Sequence, residues 1–402
     1  MWAVKGEHCF DGERFRDGVT VLVDAQRIVG VEPLAYDVPV GVEVTTYDGT
    51  LLPGLIDAHV HLVAESMRPG SPGSLESAGG LDDDELDAAI ARSLAAQAAA
   101  GVTTVRDLGD VRYRTVVARD RRNPGEPRIA TSGPPLTVEG GHCHFLGGVA
   151  DGVEAVRTAV REHVDRGVNV VKVMASGGMM TVGTDLFGAQ FSAQELRAAV
   201  QSAHDAGLRI LAHCHSEAGA RHAVGAGVDG LEHATLLTEE GIAVPDDLIA
   251  EIARAGITVD PTLGFDPARI MPTESAPPQI RALVARLGMT PAEVAVRRGS
   301  QLARMLEYGV RLVSGLDAGV TPPKAHGGLW RAVVQLLDAG VTPAQALATA
   351  TSVAADDCGL GGTTGRLARG LSADLLVVDG DLETDLSSLG RPAAVFVRGT
   401  PV

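Results

Sequence analysis

The sequence predicts an α/β protein: a (β/α)8 TIM barrel with a small β-sandwich formed by the two chain ends. Three observations carry this. Apolar, strand-like runs alternate with Ala-rich helical stretches through the middle of the chain. Most helical stretches stop at a glycine just before the next apolar run, as in Ala100-Gly101, Arg166-Gly167, Ala206-Gly207 and Ala255-Gly256. Short alternating runs separated by turn residues occur only near the ends. The expected boundaries are 1–53 and 363–402 for the sandwich and 54–362 for the barrel.

In chain order, Met1–Val4, Val19–Val23, Ile28–Val31 and Val42–Tyr47 read as small antiparallel strands, with Asp11-Gly12 and Asp17-Gly18 as turns. The barrel strands are Leu55–His61, Thr103–Asp107, Arg128–Ser132, Val168–Met174, Arg209–His215, Gly230–His233, Ile257–Thr262 and Arg311–Asp317. Helices are expected at Asp83–Ala100, Val153–Arg166, Ala193–Ala206 and Pro291–Tyr308, the third opened by a Ser192/Glu195 capping box. Ser71–Gly80 reads as a mobile loop over the first strand. Near the end, Gly365-Arg-Leu, Ala373–Asp379 and Ala394–Val397 return to the short-strand pattern and pair with the N-terminal runs.

Composition narrows the function. The chain has 402 residues, 45% hydrophobic and only 3% aromatic, so Ala, Val, Leu and Ile build the core. A formal net charge of -17 argues against nucleic-acid or anionic-membrane partners and favours a soluble protein. Cys9, Cys143, Cys214 and Cys358 fit neither a disulfide framework nor a Cys-x-x-Cys metal clip. No signal-like or bilayer-length apolar run is present, so a cytoplasmic location is expected. Of 34 basic residues only Lys5, Lys172 and Lys324 are lysines. A chain that otherwise uses arginine keeps lysine where guanidinium cannot serve, and Lys172 sits inside the apolar strand Val-Val-Lys-Val-Met.

The unusual polar residues fall at strand ends, where a barrel places its chemistry. His59 and His61 end the first strand, two apart and so on one face with Asp57; alone, they read equally well as satisfied core histidines. Lys172 lies on the fourth strand, His213 and His215 end the fifth, His233 the sixth and Asp317 the eighth. His8, His163, His204 and His222 lie elsewhere and read as surface residues. Imidazoles with a carboxylate suit a borderline-soft divalent metal, most often zinc. Two cations need more negative charge. A lysine amine can supply it by reacting with carbon dioxide to give a bridging carbamate, which arginine cannot do.

This constellation closely resembles the amidohydrolase superfamily, in its prolidase-like, imidazolonepropionase-related branch. The marks are Pro53-Gly-Leu-Ile-Asp57-Ala-His59-Val-His61, Gly101-Val-Thr-Thr-Val-Arg106-Asp107, Gly140-Gly-His142 and Val171-Lys172-Val-Met-Ala-Ser-Gly-Gly178. They continue with His213-Cys-His215 twenty residues before His233, then Asp317-Ala-Gly and Ala350-Thr-Ser-Val-Ala-Ala. The resemblance implies that His59, His61 and Asp317 hold one Zn2+ and His213 and His233 a second, with carboxylated Lys172 bridging. His213 is preferred over His215 by the twenty-residue spacing, and Asp57 is expected to orient one of the ligand imidazoles. The implied reaction is amide hydrolysis of a peptide or N-acyl amino acid by a hydroxide shared between the metals, with Asp317 shuttling the proton. His142, His144, His215 and His326 lie on rim loops as candidates for oxyanion or substrate contacts, with His142 and His215 also candidates for catalysis. A homo-oligomer fits this branch.

Two departures bear on substrate. Relatives read Gln-Tyr-Ser where this chain has Gln190-Phe191-Ser192, so a hydroxyl for a substrate carboxylate is missing; relatives read Gly-Gly-His-Gly-Asp where this chain has Gly140-Gly-His142-Cys-His144. Trimming of a follower segment from a modified natural-product peptide is one alternative these changes suggest. A deaminase or cyclic amidase on the same barrel is another, although its acid, Glu217, comes one residue late and Lys172 would have no task. A non-catalytic scaffold is disfavoured by the complete ligand set.

Overall fold

A computed structural model describes residues 1–270, 276, 278–288 and 290–402. Four strands open the chain: β1 (Trp2–Phe10), β2 (Phe15–Asp24), β3 (Arg27–Pro33) and β4 (Glu43–Pro53). The middle carries β5 (Leu55–Val60), β6 (Val102–Asp107), β7 (Arg128–Thr131), β8 (Val170–Met174), β9 (Arg209–Ser216), β10 (Gly230–Thr238), β11 (Gly241–Ile242) and β12 (Thr258–Asp260). The end supplies β13 (Leu375–Asp379), β14 (Pro392–Val397) and β15 (Thr400–Pro401).

Both chain ends enter one seven-stranded sheet, ordered β15-β14-β13-β4-β1-β2-β3, with an apolar cluster that includes Val4, Val21, Leu51 and Val377. Its pairing is not wholly antiparallel, because β1 and β4 run parallel. β4 ends at Pro53 and β5 begins at Leu55, so one apolar run passes from this sheet into the next.

The middle of the chain is mixed α/β. β5, β6 and β7 form one parallel sheet; β8, β9, β10 and β12 pair in parallel in a second, with β11 folded back on β10. These strands are almost entirely buried, as parallel strands between layers must be. Helices lie between them, including Asp83–Ala99, Val153–Arg166, Ala193–Asp205 and Pro291–Glu307. The Ser192/Glu195 capping box is formed in both directions, an arrangement in which the cap alone stabilises by about 1 kcal/mol. Gly167 and Gly256 end their helices at φ 76° and 68°, conformations that favour glycine.

Three expectations need correction. The run Arg311–Asp317 is not a ladder strand; it is an extended segment with single bridges from Leu312 to Val259 and from Ala318 to Val60. It still bonds both neighbours, through Val313 N–H to Val259 O and Ala58 N–H to Ser314 O, before Asp317 turns left-handed at φ 62°. Ser71–Gly80 is not all loop, since Leu75–Gly80 forms a short 3-10 helix that buries Leu75 and Ala78. His163 is not a surface residue. It is buried, with its ring nitrogens 2.7 Å from Ala159 O and 2.8 Å from Pro134 O.

No helix among the described residues is long and apolar enough to cross a membrane.

Candidate metal centre

Backbone hydrogen bonds set the first group of ligand-type side chains. Asp317 N–H donates to His59 O at 2.7 Å and His61 N–H donates to Ala318 O at 2.8 Å, which locks the 311–318 segment against the end of β5. Asp317 Oδ1 then lies 3.5 Å from His59 Nε2 and 3.3 Å from His61 Nε2. A second group, His213, His215 and His233, gathers near the end of β9 and at the point in β10 where its pairing with β9 shifts register, with ligand atoms within 4.8 Å of one another. The groups adjoin, as the His59 and His233 rings are 5.3 Å apart. Lys172 is buried, and its Nζ has no hydrogen-bond partner.

Outer contacts leave one nitrogen of each ring free. His61 Nδ1 donates to Gly109 O at 3.0 Å, and His59 Nδ1 to Glu232 Oε2 at 2.7 Å; both point Nε2 inward. His213 is reversed: Nε2 faces Gly177 O at 3.2 Å, so Nδ1 carries the lone pair. His233 Nδ1 pairs with Thr262 Oγ1 at 2.8 Å, and His215 Nδ1 with Thr235 Oγ1 at 3.0 Å. His233 and Asp317 hold positive φ, 65° and 62°, at a cost of about 1–3 kcal/mol each for strained residues.

Electrostatics favour metal-ready protonation states at most of these groups; at His61 the Asp317 carboxylate outweighs burial and raises the imidazole instead. Burial pushes the imidazoles of His59, His213 and His233 well below their ordinary range, so they stay neutral. Burial opposes ionisation of Asp317, but His59 and His61 outweigh it and hold the carboxyl below its usual range. Burial also lowers Lys172, against the attraction of Glu232 and Asp317, which moves its amine towards the neutral form.

Asp57 does not orient a ligand imidazole. Its carboxylate accepts the Leu316 N–H at 2.9 Å and Gln97 Nε2 at 3.2 Å. The β5–β6 register slips between Asp57 and Val60, so strict alternation does not carry from Asp57 to His59. Glu232 has the orienting contact instead, and behind it Arg106 lies 3.6 Å from Glu232 and 2.7 Å from Asp357. The sequence signal for Glu232 was a carboxylate directly before His233 in a buried run.

Of the rim histidines, His142 and His215 join the cluster. The His142 ring is 4.4 Å from His213, and His215 stacks on His233 at 4.5 Å. Thr181 Oγ1 lies 2.7 Å from His142 Nδ1, and Gln190 Oε1 accepts the His142 N–H at 2.7 Å. Burial pushes both His142 and His215 down to about 3. His144 is exposed, with Nδ1 on Gly141 O, and is not brought into the cluster. His326 bonds to Ala64 O and lines a separate cavity of about 600 Å³ with Arg68 and Arg92. Phe191 is buried in the main apolar cluster, and Glu217 pairs with Arg221.

Two adjoining groups, one of three buried histidines and one of two buried histidines with Asp317, beside an unpaired lysine amine, define a protein equipped to bind metal ions. The chain belongs to the amidohydrolase family, whose model matches residues 50–402. An uncharacterised protein of Mycobacterium tuberculosis is 31% identical over 392 residues, covering 92% of this chain and 89% of that one. Ochratoxinase of Aspergillus niger is 29% identical over 270 residues, 57% of this chain; that match spans only 53%, about half, of the relative's length. A solved prolidase complexed with N-methylphosphonate-L-proline has a TM-score of 0.80 at 28% identity, covering 100% of this chain and 99% of that one.

Proposed function

We propose that this chain is a metal-dependent hydrolase of carbon–nitrogen bonds, cleaving a linear amide of peptide or N-acyl amino acid type with two divalent cations. The observation that carries this is the unpartnered, buried Lys172 Nζ beside two complementary ligand groups. An amine with no acceptor fits as the site of a carbamate: its nitrogen bonds to the carbon of CO2 and a proton is released. His59, His61 and Asp317 would hold one cation, His213 and His233 the other, and carboxylated Lys172 would bridge. The nitrogen-rich donor set suits Zn2+.

The barrel and domain division belong to the same reading. Leu136 bridges Val173 alongside β8, and Val313 N–H donates to Val259 O while Ala58 N–H donates to Ser314 O. These bonds support reading the two parallel sheets as arcs of one (β/α)8 ring spanning 54–362, with 1–53 and 363–402 as the accessory unit.

Bound divalent cations supply a water of lowered pKa, towards about 7, and polarise a carbonyl. Asp317 takes the proton from the attacking water and returns it to the departing amine nitrogen. His142 and His215 stay neutral and donate hydrogen bonds to the developing oxyanion or to a substrate carboxylate. The named activities of ochratoxinase and the prolidase support an amide substrate. The Glu217–Arg221 pair favours hydrolysis over deamination, because it already gives that acid a cationic partner.

The test is a screen of zinc-loaded protein against Xaa-Pro and Xaa-Arg dipeptides, N-acyl amino acids and cyclic amides. We expect cleavage of a linear amide, abolished by chelation and restored by zinc. Turnover of cyclic amides or release of ammonia alone refutes the assignment. Rapid cleavage of ordinary dipeptides excludes specialisation for a natural-product follower segment.

A further inference from the structure

We propose that Lys324 and Arg298 are positioning residues, two cations that pin the backbone presenting His233, Thr262 and Asp317. This rests on the metal-site reading above. The backbone there is unusual: His233, Ala234, Leu236, Thr262 and Asp317 are all left-handed, with φ of 65°, 42°, 53°, 46° and 62°. None is glycine, so the surroundings must hold them. Left-handed turns at strand ends also remove carbonyls from the sheet ladders, and those carbonyls need donors.

The two cations supply the donors. Lys324 is buried; its Nζ donates to Thr262 O at 2.6 Å and to Leu316 O at 2.9 Å, and it lies 4.5 Å from the centroid of the Phe265 ring. Arg298 donates through Nη2 to His233 O at 2.8 Å and Pro261 O at 3.3 Å, and through Nη1 to Ala234 O at 3.0 Å. Neither forms an ion pair among the described residues. Lys324 therefore acts on both groups: Leu316 adjoins Asp317, and the Thr262 hydroxyl pairs with His233 Nδ1. Arg298 acts on the His233 side alone. A buried cation without a carboxylate partner is unfavourable on its own. For Lys324 the nearby Asp317, Asp260 and Asp57 carboxylates act against that cost.

The experiment measures zinc affinity and stoichiometry in chelator-buffered zinc, kcat and KM, and apo-protein melting for K324M and R298M in the full chain. Both are expected to keep their circular dichroism and to bind zinc 10–100-fold more weakly. R298M should weaken one zinc per chain and K324M both, with kcat falling more than KM rises. Wild-type zinc affinity in both variants, or activity lost only in proportion to unfolded protein, overturns the proposal. If the Met variants do not fold, K324R and R298K decide: K324R should stay defective in zinc binding and R298K should recover partly, and wild-type behaviour of both overturns it. A wild-type protein that binds no zinc refutes the metal-site reading itself. Two zinc ions in wild type with unaffected variants refutes only this inference.

Discussion

Replacing Lys172 by Met should separate stability from activity. In the metal-free protein the Lys172 amine is buried without a hydrogen-bond partner, and burial outweighs the attraction of Glu232 and Asp317. Removing an unsatisfied buried polar group gains about 1–3 kcal/mol. With an unfolding entropy of about 2.1 cal/mol/K per residue over 402 residues, each kcal/mol shifts melting by roughly 1 °C, so chelator-stripped K172M should melt roughly 1–4 °C above wild type. The same variant should bind fewer than two zinc ions per chain and lose amide hydrolysis. Scanning calorimetry, metal analysis and turnover on one sample check all three. Two bound zinc ions with full turnover refute the bridging role. An apo melting point at or below wild type refutes the claim that the amine lacks a partner.

Glu232→Gln removes the charge that accepts the His59 Nδ1 proton at 2.7 Å; zinc affinity should fall 10–100-fold, about 1.4–2.8 kcal/mol, by titration against a chelator of known affinity. Gly315→Ala places a Cβ 2.1 Å from Asp260 Oδ2 and 2.5 Å from His59 Cβ, so urea unfolding should show a loss of about 1–3 kcal/mol or more, together with weaker zinc binding. Acid should destabilise the apo-protein steeply. The His142 and His215 imidazoles are depressed to about 3 in the fold, against about 6.5 unfolded. The unfolded chain therefore binds more protons between these values, and stability present above about pH 6.5 is lost as pH falls towards 3. An H142N/H215N double variant should show a shallower slope in urea unfolding over that window; an unchanged slope counts against neutral burial.

The residues that the structure gathers into two groups were legible because such side chains recur along the expected barrel strands. Strand periodicity and the count of lysines single out His59, His61, His213, His215, His233, Lys172 and Asp317, and only the family resemblance divides them between two cations. What orients them was not legible. Glu232 meets His59 across 173 residues of sequence, and no local pattern pairs them. Asp57 was misassigned because alternation fails where the β5–β6 register slips. The burial of His163 has no sequence signature because its ring meets backbone carbonyls, those of Ala159 and Pro134. The Arg311–Asp317 run looked like a strand because its apolar residues alternate, while the left-handed Asp317 is visible only once His59 is in place.

The scarcity of lysine can now be read residue by residue. Lys5 Nζ donates to Leu34 O and Tyr36 O, both at 3.1 Å, and Lys324 Nζ to Thr262 O and Leu316 O. In each case a compact ammonium sits where two carbonyls converge. Among the described residues most ion-paired arginines instead meet their carboxylates at partly exposed positions, as Arg114 meets Asp87 and Arg304 meets Asp246. Lys172 shares the burial of Lys324 but has no carbonyl to bond. Hydrogen bonding therefore satisfies the amine at two of the three positions and fails at the third. What distinguishes lysine from arginine there is an amine that can lose its proton and react, which is the property a bridging carbamate requires.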